Sequence, residues 1–205
     1  MENNRFINKL VEIAGGISNQ RHIKAIRDAF ATAIPVTITA AVFLVLNYVI
    51  IGQIDGLSET LVGQFIGEVG TQVSKGTLDF LGVLITFLIG YYLAKTYDSD
   101  GPLEGIISVV CFITLAPNVV QLAENETMIN ASGVITTAIS GSSAMLIGVV
   151  AALVSSTLMC KLSKIRMLQI RMPESVPTGV ARAFNGLIPS VIVVSLFACL
   201  EVATR

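Results

Sequence analysis

The chain has 205 residues, 53% of them hydrophobic and only 13% charged, with a mean hydropathy of +0.78. A soluble domain carries about 25% charged residues, and a net charge of −1 provides no basic field for nucleic acid. Asp, Glu, Lys and Arg are missing from 29–54, 105–123, 127–160 and 183–200; several windows of about 20 apolar residues mean several membrane crossings and exclude a soluble bundle, whose helices need polar faces.

In chain order, residues 1–26 form a leader. Phe6, Ile7, Leu10, Val11, Ile13 and Ile17 recur among its charges at roughly helical spacing. They predict either an amphipathic helix along the cytoplasmic interface or a segment docked on the protein's own loops. The first apolar run follows this polar leader and is too long for a cleavable signal. Five spans are predicted, at about 29–52, 77–94, 103–122, 133–160 and 184–201. Between the first two, Leu57, Leu61, Val62, Phe65, Ile66, Val69 and Val73 mark an amphipathic helix on the outer surface. Between the second and third, Tyr97-Asp-Ser-Asp-Gly-Pro102 is a tight turn by residue chemistry. Asp98 and Asp100 in this turn and Glu104 just after it read as solvated rather than as a cation site. The fourth span is long enough to tilt or to project beyond the hydrocarbon.

Orientation follows from the Lys and Arg positions. Of the 13 such residues, all but Lys75 and Arg205 fall before the first span, at Lys95, or between the fourth and fifth spans. The fold class is therefore all-α: a polytopic helical membrane protein of about five transmembrane helices, N-terminus cytoplasmic and C-terminus external.

Ser140, Ala144, Gly148, Ala152 and Ser156 place small residues on one face of the fourth span, where another backbone can approach closely. Ala144, Gly148 and Ala152 are the candidates for a helix-packing or dimer contact, within one subunit or between two. Ala29-Phe30-x-x-x-Ile34-Pro35 recurs as Ala183-Phe184-x-x-x-Ile188-Pro189. This is either a parallel structural repeat or the same way of entering a membrane reached twice. His22, the one histidine, lies in a basic segment with no acidic partner at helical spacing, which favours a structural role over a proton relay. Cys111, Cys160 and Cys199 are widely spaced and read as packing residues. No Walker loop, zinc spacing, nucleophile elbow or dinucleotide glycine pattern occurs, so no cofactor, metal ligand or catalytic residue is assigned.

Four blocks carry a resemblance: Gln20–Phe30 with Ile34-Pro35, Tyr97–Leu103 running on to Leu115-Ala-Pro117, Gly141–Ile147, and Met172–Phe184. They resemble the membrane subunit, enzyme IIC, of the bacterial phosphoenolpyruvate-dependent sugar phosphotransferase system, in its lactose/cellobiose/diacetylchitobiose branch. The resemblance implies a multi-pass protein of the bacterial inner (cytoplasmic) membrane, working with cytoplasmic IIB and IIA proteins on a β-linked disaccharide. In that family the sugar is phosphorylated by IIB as it enters, and the membrane subunit supplies the path.

Family members are about twice this length. The chain is similar to their N-terminal half: a leader, 1–26, then a scaffold and dimerisation part, 27–205, without the sugar-binding half. No substrate-binding residue is carried over, and a homodimer is expected. The basic loop after the fourth span makes Lys161, Lys164, Arg166 and Arg171 candidates for docking a partner. The alternative is a non-transporting scaffold, or a truncated subunit that dimerises with a full-length relative.

Overall fold

The structure, a computed structural model, describes residues 20–54, 56–117, 119–124, 127–132, 135–170, 173 and 177–204. The predicted leader thus lies almost entirely outside the described residues. Helix α1, Arg21–Val45, continues as a π-helical turn, Leu46–Ile51. Its buried residues are Ala25, Ala29, Ala33 and Ala40. A row of methyl groups lets it lie close against a neighbour, while Ile34, Ile38, Val42 and Val45 on its other faces are exposed.

Helix α2, Leu61–Thr77, is the amphipathic segment read from the sequence. Thr60 caps it, its hydroxyl accepting from the Gly63 N–H at 3.1 Å. It packs on the outer end of α1, where the Asn47 side-chain amide donates to the Gly67 carbonyl at 3.2 Å. A single 3₁₀ turn, Leu78–Phe80, joins it to α3, Leu81–Lys95. Leu61–Lys95 therefore forms one long apolar run rather than the short second span predicted.

Helix α4 runs from Pro102 to Thr114. It starts where Gly101 takes φ 96°, a left-handed conformation that suits glycine, and Pro102 fills the first helical position. It ends three residues before Pro117, which cannot continue a helix. Its length of about 20 Å is less than the hydrocarbon thickness, so the third crossing is shorter than predicted. The chain then forms an antiparallel hairpin from β1, Val119–Glu124, and β2, Thr127–Ser132, with Gln121 opposite Asn130. This loop hairpin is the one departure from helix among the described elements.

The predicted fourth span is interrupted. A four-residue helix α5, Thr137–Ser140, and a 3₁₀ turn, Ser142–Ala144, precede α6, Met145–Leu162. The break falls at Gly141, whose backbone is extended. A β-carbon on Gly82 would stand 2.5 Å from the Gly141 carbonyl oxygen and 2.8 Å from that of Ser140. The break thus lets bare backbone meet bare backbone. Helix α7, Thr178–Thr204, is the final crossing.

Helix α3 is central, touching α1, α4 and α6, and α7 closes against α4 and α6. Two buried clusters share α6. Ala29, Ala33, Ile85, Ile89 and Ala152 form one, on the α1–α3 side. Cys111, Phe112, Ala151, Met159, Val193 and Phe197 are in the other, on the α4–α7 side. The two similar sequence blocks turn different faces inward: Ala29 is buried and Pro35 exposed, whereas Ala183 is exposed and Pro189 buried. This favours membrane-entering grammar reached twice over a structural repeat.

Candidate functional site

The small-residue row on α6 meets a second such row on α3, Gly82-x-x-x-Thr86-x-x-x-Gly90. A β-carbon on Gly148 would collide with the Thr86 hydroxyl. Ala152 is fully buried, and Ala144 is 8% exposed. The Ser156 hydroxyl donates to the Gly90 carbonyl at 3.0 Å. Ser140, although off the helix, reaches the same partner region by donating to the Asp79 carbonyl at 2.5 Å. All of these contacts are made inside one chain, and Ala144, Gly148 and Ala152 are covered by it.

The seam extends into α4. Ser155 donates to the Ser108 hydroxyl at 3.0 Å, and Ser108 donates to the Glu104 carbonyl at 2.7 Å. Gly90 leaves room for this pair, since a β-carbon there would strike the Ser108 hydroxyl. Thr86 donates to the Gly82 carbonyl at 2.7 Å. In hydrocarbon an unmet polar group costs several kcal/mol. Thr86 and Ser108 meet that requirement within their own helices, and Ser155 and Ser156 by bonding to a neighbouring helix.

The helix ends predicted to be cytoplasmic come together. Arg21 at the start of α1 lies over the Tyr97 ring, its guanidinium carbon 5.0 Å from the centroid. Lys164, just past α6, lies 5.7 Å from the same centroid. Lys95 lies over Tyr91 at 5.4 Å. His22 holds α1 to α6, with its Nε2 3.3 Å from the Thr157 hydroxyl. That contact suits the structural role expected of it. Among the docking candidates, Lys161, Lys164 and Arg166 are exposed at this end, and Arg171 lies outside the described residues.

The acidic corner differs from its sequence reading. Asp98 and Asp100 are exposed, but Glu104 is 4% exposed. Its carboxylate accepts from Ser99 at 2.5 Å and sits in the first turn of α4, where the helix dipole favours negative charge. A cavity of about 370 Å³ opens beside it, bounded by α4, Ser163, and Gly179 to Gly186 of α7. The side-chain amide oxygen of Asn185 is buried there with no donor among the described residues.

Sequence reasoning found the α6 row but missed its counterparts. Ala25, Ala29 and Ala33 on α1 and Gly82, Thr86 and Gly90 on α3 have the same four-residue spacing, a signal open to the same reading. Arg21 and Tyr97 were missed as companions of Lys164 because their meeting depends on which helices are neighbours.

Small-residue seams, internally satisfied hydroxyls and basic helix ends gathered on one face define a polytopic integral membrane protein. The sequence model described as "Phosphotransferase system, EIIC" matches residues 27–202, and the chain belongs to that family. It is a multi-pass protein of the bacterial cytoplasmic membrane. It is 34% identical over 194 residues to a Bacillus subtilis protein named "PTS system oligo-beta-mannoside-specific EIIC component", covering 94% of this chain and 42% of that one. It is 28% identical to the "PTS system cellobiose-specific EIIC component" of Geobacillus stearothermophilus, covering 88% of this chain and 40% of that one. The crystal structure of the transporter ChbC, the IIC component of an N,N'-diacetylchitobiose-specific phosphotransferase system, superposes with a TM-score of 0.84 at 30% identity. That match covers 95% of this chain and 46% of the other. The chain spans less than half the length of the relatives it matches.

Proposed function

We propose that these 205 residues serve as the packing scaffold of a sugar permease. The permease would take up a β-linked disaccharide, such as cellobiose, lactose or diacetylchitobiose, while a IIB protein phosphorylates it with phosphate received through IIA. The observation that supports a scaffold role is the seam: the hydroxyls of Thr86, Ser108, Ser155 and Ser156 each bond to protein groups between or within the helices. A sugar site needs polar groups converging on a cavity; in this reading they come from the region of the relatives beyond the match. Lys161, Lys164, Arg166 and Arg171 offer the cytoplasmic partner a basic surface. The proposed homodimer would use surfaces other than Ala144, Gly148 and Ala152, which α3 already covers.

The test is uptake of labelled cellobiose and diacetylchitobiose in cells that carry IIA and IIB but lack their own IIC. The 205-residue chain should give no phosphorylated sugar. Joined to the C-terminal half of the oligo-β-mannoside relative, it should give accumulation. Phosphorylated sugar with the short chain alone would overturn the scaffold reading. Inactivity of both, with the short chain crosslinking to a full-length relative, would support the non-transporting alternative.

A further inference from the structure

We propose that Arg21, Tyr97 and Lys164 form a clamp for the phosphate of an anionic phospholipid in the inner leaflet. Three helices contribute to it. Arg21 opens α1, Tyr97 follows α3, and Lys164 follows α6. Both cations stand at one ring, at 5.0 and 5.7 Å from its centroid. The face of an aromatic ring attracts a cation, but a neutral ring carries no net negative charge to offset two of them. The ion pair described at this end joins Arg27 to Asp28, at 3.0 Å, and involves neither of them. Two like charges brought together by three separate helix ends call for an anion between them. A basic niche between transmembrane helices on the cytoplasmic side has the chemistry of a headgroup phosphate site.

The neighbouring residues favour a lipid over a soluble partner at Lys164 and Arg166, which leaves Lys161 and Arg171 to the docking surface. The segment leaving the clamp reads Lys164-Ile165-Arg166-Met167, alternating cation and apolar side chain. Ile165 is 44% exposed and Met167 92%. Such a segment fits the headgroup boundary, where cations meet phosphate and apolar side chains enter the acyl region. Tyr97 suits the same depth, since tyrosine gathers at membrane–water interfaces. A phospholipid supplies both the phosphate and the chain beside it, whereas a hydrated acidic protein surface supplies only the charge. This inference holds whether or not the chain carries a sugar.

The experiment uses the full chain purified in a neutral detergent. Native mass spectrometry would count bound phosphatidylglycerol and phosphatidylcholine, and thermal unfolding would be followed with each lipid added. Phosphatidylglycerol should bind and raise the unfolding temperature; phosphatidylcholine should do neither. R21Q/K164Q should weaken phosphatidylglycerol binding about thirtyfold, and Tyr97→Leu should weaken it less. K75Q, at the opposite end, should leave it unchanged and controls for general loss of charge. Equal binding of both lipids, or phosphatidylglycerol binding undiminished in R21Q/K164Q, would overturn the clamp. Capture of a purified IIB protein that is lost in R21Q/K164Q, with lipid binding intact, would assign the cluster to partner docking and overturn it equally. If R21Q/K164Q fails to fold, Tyr97→Leu gives the decision by the same lipid count.

Discussion

Helices α1 and α6 are both apolar enough to cross a membrane, yet the bundle treats them differently. In the most apolar stretch of α6 with its preceding turn, 44% of the residues are buried, whereas in that of the α1 run 11% are. Apolarity does not separate them. What does is how far round the helix the small residues extend: α6 turns Gly148, Ala152 and Ser156 inward together with a second row, Ala151 and Ser155, whereas α1 turns in one row of alanines and leaves Ile34, Ile38, Val42 and Val45 outside. Lipid tails are as apolar as leucine, so burying an isoleucine against another helix brings no transfer gain. Close packing and interhelical hydrogen bonds decide which faces meet. In this protein, hydropathy marks what crosses the membrane and rows of small residues mark where two helices come closest.

The largest test of that contrast pairs Gly148→Leu with Leu146→Ala. Leucine at 148 has to displace the Thr86 hydroxyl and approach Gly82, whose carbonyl oxygen would lie 3.4 Å from the first added carbon. Overpacking a filled site costs about 1–3 kcal/mol, and the upper end is expected where the obstacle is a helix backbone. Leu146, two residues away and 77% exposed, should change stability by about 0.5 kcal/mol or less. Reversible unfolding in mixed micelles measures both. Equal effects would mean that size on the α6 face is irrelevant and that the contrast is false.

A sharper test lies at the crossing of α3 and α4. Gly90→Ala should destabilise by about 1–2 kcal/mol, because its methyl group strikes the Ser108 hydroxyl. Removing that hydroxyl with Ser108→Ala should recover part of the loss, so the double variant should be more stable than the sum of the singles implies. Residues in contact commonly show coupling of about 0.5–3 kcal/mol. Strict additivity would show that the two groups do not compete for one space.

How much of this was legible beforehand follows from the same physics. The number of crossings, their order and the basic side can be read from apolar windows and Lys/Arg counts, because the bilayer constrains length and charge directly. The ends of the crossings are harder to read. The fourth breaks at Gly141 because bare backbone there packs against Gly82, a tertiary contact that hydropathy does not register. Leu61–Thr77 joins the second crossing through Leu78–Phe80 although its polar residues suggested a surface helix. Glu104 looked solvated beside two other acids, but its place in the first turn of α4, with Ser99 as donor, allows it to be buried. At the candidate site, the α6 row was visible as a pattern, whereas its partner was not, because spacing identifies a face and not what faces it. The Arg21–Tyr97–Lys164 cluster required knowing that α1, α3 and α6 end side by side.

A smaller effect is expected at the cytoplasmic end of the seam. His22→Ala removes the 3.3 Å contact to Thr157, a long bond at a partly buried position. The expected loss is about 0.5 kcal/mol, the low end for a hydrogen bond. Thr157→Val should cost a similar amount, and the double variant no more than either single one.

An effect of similar size is the most informative about lipid-embedded hydrogen bonds. Ser156 is fully buried and donates to the Gly90 carbonyl at 3.0 Å. In water-soluble cores, removing one partner of a buried bond costs about 1–3 kcal/mol when the other is left unmet. Gly90 lies inside α3, however, where a carbonyl already accepts the helical N–H four residues on. Its second lone pair loses a partner without becoming an orphan. Interhelical hydrogen bonds in membranes average about 0.6 kcal/mol by double-mutant cycles. Ser156→Ala should therefore cost about that much, and Ser156→Val distinctly more, because it adds volume where α3 is in contact. If alanine proved as damaging as valine, the seam would rest on its hydroxyls rather than on close fit. The contrast between α6 and α1 would then be one of polarity and not of size.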